Sequence, residues 1–203
     1  RQYARITGRG TPPVAEVRLM TMPKTITHSS SGTPLIGVVG WKNSGKTTLT
    51  EKLVAELAAR GFSVATVKHA HHAFQIDDGE ADSARHRRAG AQQVAIVAAS
   101  RWAIIRELKN APEPDFEDVV GWLDPCDLII VEGYKSQPIR KIEARRLQSV
   151  TKDALAVNDP NVIAIAADHP VAGQRLPLCD LGDIATIADF IVATTGLATR
   201  RTS

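Results

Sequence analysis

Residues 35–60 have the sequence LIGVVGWKNSGKTTLTEKLVAELAAR, and this stretch indicates the fold. The apolar run Leu35–Val39 predicts a buried strand. Leucines at positions 49, 53 and 57 recur every four residues and predict a helix over Thr47–Arg60, which the chain leaves at Gly61. Between strand and helix, residues 40–47 fit the phosphate-loop pattern G-x-x-x-x-G-K-[ST]. A strand, a glycine loop and a helix in this order predict an α/β protein that binds nucleotide phosphates.

The residue types in this loop suit phosphate chemistry. Its glycines leave room for backbone amides to surround a phosphate, and the start of the helix adds a partial positive charge. Lys46 is expected to reach the β- and γ-phosphates, and the Thr47 hydroxyl is expected to bind Mg²⁺. The predicted nucleotide-binding residues of this segment are Gly40, Lys42, Asn43, Ser44, Gly45, Lys46, Thr47 and Thr48.

Short apolar runs alternate with helical patterns along the rest of the chain, which is typical of a mainly parallel central sheet flanked by helices. The predicted strands are Leu35–Val39, Ser63–Val67, Val94–Ala98, Leu128–Val131, Ile139–Glu143 and Val162–Ala166. The further predicted helices are Ala81–Ala89, Trp102–Leu108, one capped by Asp115 that runs to Leu123, and a closing helix with an apolar stripe at Ile184, Ile187, Ala188 and Ile191. One domain is expected over residues 34–197, with a short C-terminal tail at 198–203.

A P-loop site also needs an acid at the end of a neighbouring strand, either to hold the metal or to polarise the attacking group. Glu132 ends the buried run before Gly133, at the edge of the sheet where α/β proteins bind ligands. Asp77 and Asp82 could join the metal shell or position a water, or they could simply cap a helix. The predicted catalytic residues are Lys46, Glu132 and Asp82, and the predicted metal ligands are Thr47, Glu132 and Asp82.

The segment Lys68-His69-Ala70-His71-His72 leaves the second strand at its carboxyl end and is expected to overhang the phosphates. Its three histidines could bind a transition metal, although they lack i, i+4 spacing and a cysteine partner. The alternative is a polar loop with one histidine near the nucleotide. Arg85, Arg87 and Arg88 could clamp a phosphate in the transition state or form a solvated basic face.

Composition excludes several classes of protein. In 203 residues, 43% apolar and 23% charged, no apolar run approaches the about 20 residues that span a bilayer. Cys126 and Cys179 lie far apart, which gives no disulfide scaffold and suits a reducing cytoplasm. Residues 1–33 hold 5 of the 25 basic residues and 1 of the 22 acids, so the other 170 residues hold 20 and 21 and give no charge argument for nucleic acid. We expect residues 1–33 to be a disordered basic leader, or an added extension, outside the fold.

The segments GWKNSGKTTL, VKHAHH, DLIIVEGYK and the pattern D-x-x-x-x-D-S-x-R-H-R-x-A-G-A over residues 77–91 resemble the molybdopterin-guanine dinucleotide biosynthesis adapter family, MobB. The resemblance covers about residues 34–195. It implies a P-loop GTPase-like fold, a homodimer, GTP and Mg²⁺ as ligands with slow hydrolysis, and a partner guanylyltransferase of the MobA type. It also implies that Gly40 to Thr48 bind phosphate, that Glu132 is the Walker B type acid, and that Asp82 and Ser83 belong to a switch-like segment.

Guanine specificity has a weaker basis, because the chain has no N/T-K-x-D motif after a strand. Asp168 follows a predicted strand and could accept from guanine N1 and N2, or it could be an ordinary loop acid. Two alternative functions stay open, a P-loop small-molecule kinase or ligase and a metallochaperone GTPase that uses the histidines. One further basic group could bind an anionic pterin phosphate or face water, and it consists of Arg140, Lys141, Arg145 and Arg146.

Overall fold

The computed structural model describes residues 25–70, 76, 81–149, 151, 153–173 and 175–198. Its strands are β1 (Leu35–Val39), β2 (Val64–Lys68), β3 (Gln93–Ala98), β4 (Arg101–Arg106), β5 (Leu128–Glu132), β6 (Lys141–Arg145), β7 (Val162–Ala167) and β8 (Leu178–Asp180). Its helices are α1 (Lys46–Ala59), α2 (Asp82–Arg88), α3 (Phe116–Gly121), α4 (Leu155–Asn158) and α5 (Ile184–Thr195). Among these described residues, no helix is long and apolar enough to span a membrane.

Six strands form one sheet in the order β2-β5-β1-β6-β7-β8, and every neighbouring pair is parallel. This confirms the predicted mainly parallel sheet. β1 lies between β5 and β6, so the loops that follow these three strands meet at one edge. In the register, Glu132 at the end of β5 stands beside Val38 of β1 and beside Lys68 of β2. The sheet order therefore places the predicted acid next to the phosphate loop.

The two faces of the sheet have separate cores. On one face, Ile36 and Val38 of β1 pack with the buried leucines of α1 and with Ile187 and Ile191 of α5. On the other face, Leu35 and the neighbouring strand residues pack against α3. Because parallel strands are buried on both faces, their sequences are continuous apolar runs and lack alternation.

The predicted helix over Trp102–Leu108 is wrong. Residues 101–106 form β4, which pairs antiparallel with β3 through a two-residue turn at 99–100. β3, which we placed with the other strands, therefore belongs to a separate hairpin outside the main sheet. Both faces of the hairpin carry apolar residues, so the period of two that marks a strand is hidden. The β-branched pair Ile104-Ile105 favours the extended conformation in this position.

Ile26 lies within the predicted leader and contacts the domain. Ile26 forms a parallel bridge with Ile139, and its amide donates to the Pro138 carbonyl at 2.6 Å. Its side chain packs against the same core as α3. Residues 25–33 therefore contact the domain, because one isoleucine in a polar segment supplies both a backbone pairing and apolar contact. Residues 1–24 and 199–203 lie outside the described residues.

Three smaller differences concern short elements. The sequence analysis missed α4 and β8, which are 4 and 3 residues long. β6 begins at Lys141, two residues later than predicted, since the chain at Ile139 pairs with the segment before β1. Asp115 stands at the N-cap position of α3, but its side chain makes no capping hydrogen bond. The caps of short helices depend on side-chain rotamers that spacing does not predict.

Candidate nucleotide-binding site

The glycines of the phosphate loop stand where any side chain would clash. A Cβ on Gly40 would lie 2.3 Å from Ser44 Oγ and 2.6 Å from the Ala144 carbonyl oxygen, which belongs to the adjacent strand β6. Gly45 has φ +90° directly before α1, and its Cβ would lie 2.8 Å from Arg146 Nε. The loop thus packs against β6 and the residue after it. Glycine is required both for this close approach and for the left-handed turn at position 45.

Lys46 lies in the first turn of α1 and is held by the loop itself. Its Nζ donates to the Trp41 carbonyl at 2.8 Å. Burial lowers the pKa of Lys46 from its ordinary value, Glu132 opposes this shift, and the charges of Lys135 and Lys68 lower the pKa further. The ammonium therefore stands in a partly dry, cation-rich place, where a bound phosphate would relieve the repulsion.

Thr47 and Glu132 are in direct contact. The Thr47 hydroxyl donates to Glu132 Oε1 at 2.6 Å, and the Glu132 side chain is buried. Lys68 approaches the same pair, with Nζ 3.3 Å from Glu132 Oε1 and 3.4 Å from Thr47 Oγ1. A hydroxyl and a carboxylate side by side are the hard oxygen donors that Mg²⁺ prefers. The donor set therefore fits this metal, with Thr47 and Glu132 as the residues that would hold it.

A polar groove of about 450 Å³ opens beside the loop. Asn43, Lys46, Thr47 and Thr48 line one side of it. The chain after β6 supplies the other side through Arg146 and Gln148. Neither residue was predicted to line the nucleotide site. The sequence signal that points to Arg146 is a basic residue directly after a strand that neighbours β1. The groove offers the cations and amides that a polyphosphate needs.

Asp168 follows β7 at the same edge of the sheet. Its Oδ1 accepts from the Leu147 amide at 2.8 Å and lies 2.8 Å from His169 Nδ1. These contacts, the one with His169 first, hold the pKa of Asp168 below its ordinary value. Asp168 thus anchors the segment that carries Arg146 and Gln148. Its contact with guanine stays a prediction.

Asp82 is not brought to the metal pair. It begins α2, its side chain is 88% exposed, and its Oδ1 lies 3.5 Å from Arg85 Nη1 in the same helix. Within the described parts of the chain, no hydrogen bond or ion pair joins it to Thr47 or Glu132. Its metal and catalytic roles stay predictions.

The remaining loop residues are only partly described. His71, His72 and Asp77 lie outside the described residues. His69 Nε2 lies 3.0 Å from Glu113 Oε1, and its ring contacts Tyr134 with centroids 4.8 Å apart. Among the described residues, no group of three metal-ligating side chains occurs.

Basic residues from both predicted clusters have acidic partners. Arg87 donates to Glu107 at 3.1 Å. Lys141, which was expected either to bind an anion or to face water, is only 1% exposed, and its Nζ donates to Asp159. Tertiary packing buries this lysine, and the sequence KIEAR of β6 gives no local sign of that burial.

A strand, a glycine loop and a helix, with an acid from the neighbouring parallel strand against the first threonine of that helix, define a P-loop NTPase-like α/β protein. The family model described as molybdopterin guanine dinucleotide synthesis protein B, MobB, matches residues 35–168. The chain belongs to this family, as the sequence resemblance predicts.

Relatives and solved structures agree with this assignment. The chain is 41% identical over 158 residues to the molybdopterin-guanine dinucleotide biosynthesis adapter protein of Haemophilus influenzae, covering 78% of this chain and 87% of the relative. It is 37% identical over 161 residues to the protein of the same name from Escherichia coli, covering 78% and 91%. The crystal structure of a MobB homolog from Bacillus stearothermophilus matches with a TM-score of 0.61 and 27% identity, over 81% of this chain and 99% of that one.

Proposed function

We propose that this protein is a GTP-binding adapter in molybdenum cofactor biosynthesis, which assists the conversion of molybdopterin to molybdopterin guanine dinucleotide. Its family and relatives carry names from that synthesis, and none of them is named as a small-molecule kinase or a metallochaperone. The observation that carries the nucleotide part is the contact of Thr47 with Glu132, next to a glycine loop and the groove.

The residues of the site divide the work of binding a nucleoside triphosphate with Mg²⁺. Backbone amides of the loop and the Lys46 ammonium would bind the phosphates, and Arg146 would extend this cationic wall. Thr47 and Glu132 would hold the metal, which neutralises phosphate charge when bound. We propose only weak hydrolysis, because Arg85 and Arg87, two of the three candidate clamps, pair with acids in this structure.

Guanine recognition is assigned to Asp168. This carboxylate follows β7, on the side of the groove formed by Arg146 and Gln148, whose segment it anchors through the Leu147 amide. A carboxylate accepts from two adjacent donors, which guanine offers and adenine does not. Replacing Asp168 by Asn is expected to narrow the preference for GTP over ATP.

The proposed partner is a molybdopterin guanylyltransferase of the MobA type, and the proposed assembly is a homodimer. The hairpin supports a protein contact, because Val97, Trp102 and Ile104 are exposed on one of its faces. Contiguous exposed apolar surface marks interaction sites. The two cysteines are free, which agrees with a cytoplasmic location.

Calorimetric titration with GTP and ATP in Mg²⁺ tests the proposal. We expect GTP to bind more tightly than ATP, and Lys46→Ala to weaken GTP by at least about tenfold, which is about 1.4 kcal/mol. Lys52→Ala is the matched control, since Lys52 is an exposed lysine on the same helix. A preference for ATP would refute the guanine assignment. Binding that survives the loss of Lys46 would refute the phosphate-loop assignment.

A further inference from the structure

A second cavity lies beside the carboxyl end of β1. α4 and the chain before it border this cavity, whose volume is about 430 Å³. Val39 and Trp41 line it from the β1 side, and Lys135 lines it from the chain after Glu132. Asp153 and Leu155 are among the residues of the opposite wall. This volume falls in the range of small-molecule sites.

A buried lysine organises the wall of this cavity. The stem of Lys141 passes over Gly37 of β1, where a Cβ would lie 2.9 Å from Lys141 Cγ. Its Nζ donates to the Lys135 carbonyl at 2.7 Å and to Asp159 Oδ2 at 2.5 Å. Apolar residues in place of a buried ion pair are often equally stabilising or more so, and this pair also positions part of the cavity wall. It fixes two lining residues, Lys135 and Asp159.

The cavity adjoins the phosphate loop through Trp41. The Lys135 ammonium lies 3.9 Å from the centroid of the Trp41 ring, and the indole Nε1 donates to the Asp153 carbonyl at 2.7 Å. The carbonyl of Trp41 accepts from Lys46 Nζ. Trp41 therefore lies between Lys46, which lines the phosphate groove, and the cavity. The groove and the cavity are lined by different residues.

The lining specifies a chemical class of ligand. The indole, Val39 and Leu155 suit a flat ring, and the Asp153 carboxylate suits adjacent N–H donors on one edge of that ring. Lys135 suits an anionic substituent. The 2-amino-4-oxo edge shared by pterins and guanine has such donors.

We infer that this cavity is a second ligand site, separate from the phosphate groove, for a planar 2-amino-4-oxo heterocycle with an anionic substituent, namely a phosphorylated pterin. The pterin identity rests on the proposed function, and guanine of a bound nucleotide is the other source of the same edge. Lys135 holds the anion and Asp153 accepts from the ring donors.

Pterin-6-carboxylate is the probe for this site, and binding is followed by Trp41 fluorescence in the full chain. Trp102→Phe and Trp122→Phe provide the background, since both tryptophans are exposed. We expect the probe to quench Trp41 fluorescence. Asp153→Asn and Lys135→Met are each expected to weaken its affinity about tenfold, which corresponds to about 1.4 kcal/mol. The affinity of unsubstituted pterin is expected to be unchanged by Lys135→Met. Melting temperature shows whether each variant is folded.

Two comparisons distinguish this site from the nucleotide site. We expect Lys46→Ala to leave pterin-6-carboxylate affinity within about twofold, and Asp153→Asn to leave GTP affinity within about twofold, since twofold is about 0.4 kcal/mol. If pterin-6-carboxylate binds but GTP does not, the proposed nucleotide function is refuted and the second site is retained. Absence of quenching, equal loss with Lys46→Ala, or full displacement by guanosine monophosphate would overturn the second site.

Discussion

Replacing Lys68 by Met is expected to tighten the binding of Mg²⁺ to the protein saturated with GTP. The Lys68 ammonium lies 3.3 Å from Glu132 Oε1 and 3.4 Å from Thr47 Oγ1, the two oxygens that would hold the metal. Mg²⁺ binds oxygen at about 2.0–2.1 Å. An ammonium and a metal on the same oxygens repel each other, so the metal has to displace Lys68.

The geometry gives the magnitude. Two unit charges 3.3 Å apart interact by about 1.3 kcal/mol in bulk water and by about 5 kcal/mol at an effective dielectric constant of about 20. The Lys68 side chain is 56% exposed, so the interaction free energy of this pair is expected to be close to that of exposed ion pairs, about 0.2–1 kcal/mol. The upper end of that range corresponds to about fivefold tighter Mg²⁺.

The assay is a Mg²⁺ titration at saturating fluorescent GTP analogue, at low and at high salt. Lys68→Arg keeps the charge and is expected to stay near the wild type. Lys52→Met removes an exposed charge from α1 and controls for the general effect of losing a positive charge. If Lys68→Met leaves Mg²⁺ affinity unchanged, weakens it, or merely matches Lys52→Met, the lysine and the metal do not compete.

Three further predictions concern the loop, the leader and the buried pair. Gly40→Ala is expected to abolish GTP binding in calorimetry, because its Cβ would lie 2.6 Å from the Ala144 carbonyl, a backbone atom; normal affinity would contradict the packing. Deleting residues 1–24 is expected to leave the melting temperature unchanged, whereas deleting residues 1–33 is expected to lower it, because the longer deletion removes the bridge between Ile26 and Ile139. Equal melting temperatures would show that residues 25–33 do not stabilise the domain. Burial raises the pKa of Asp159, but the hydrogen bond and charge of Lys141 together with the two hydrogen bonds from Asn161 outweigh it and hold the pKa below 3.8, so this stabilisation is present above pH 3.8 and is lost as pH falls through the folded value. Asp159→Asn is therefore expected to be less stable in urea at pH 7 and to lose less on acidification toward pH 3; a parallel pH profile would exclude this linkage.

The phosphate loop is local chemistry and was therefore predictable. Gly40 to Thr47 follow one another in the chain, and their geometry needs only a strand before them and a helix after them. Glu132 was also predictable, since an acid that ends a buried apolar strand reaches the same edge in any parallel sheet. Arg146 and Gln148 line the same groove and were not predicted to do so.

The failures have a common origin in packing at a distance. Residues 101–106 carry apolar side chains on both faces, which hides the period of a strand, and their pairing with β3 gives the strand its place. Ile26 looked like part of a polar leader until the sheet placed Ile139 beside it. Such pairings depend on which surfaces meet, which a single local pattern does not specify.

By itself, the sequence determined the class of fold, the phosphate loop, its lysine and threonine, and the acid opposite them. Only the tertiary structure decided that Lys68 contacts the oxygens of that pair, that Lys141 is buried over Gly37, and that Trp41 lines the cavity while its carbonyl accepts from Lys46. The reason is physical. Loop geometry follows from steric limits between neighbours in the chain, whereas burial of a charge and the lining of a cavity follow from strand order and register, which join residues far apart in sequence.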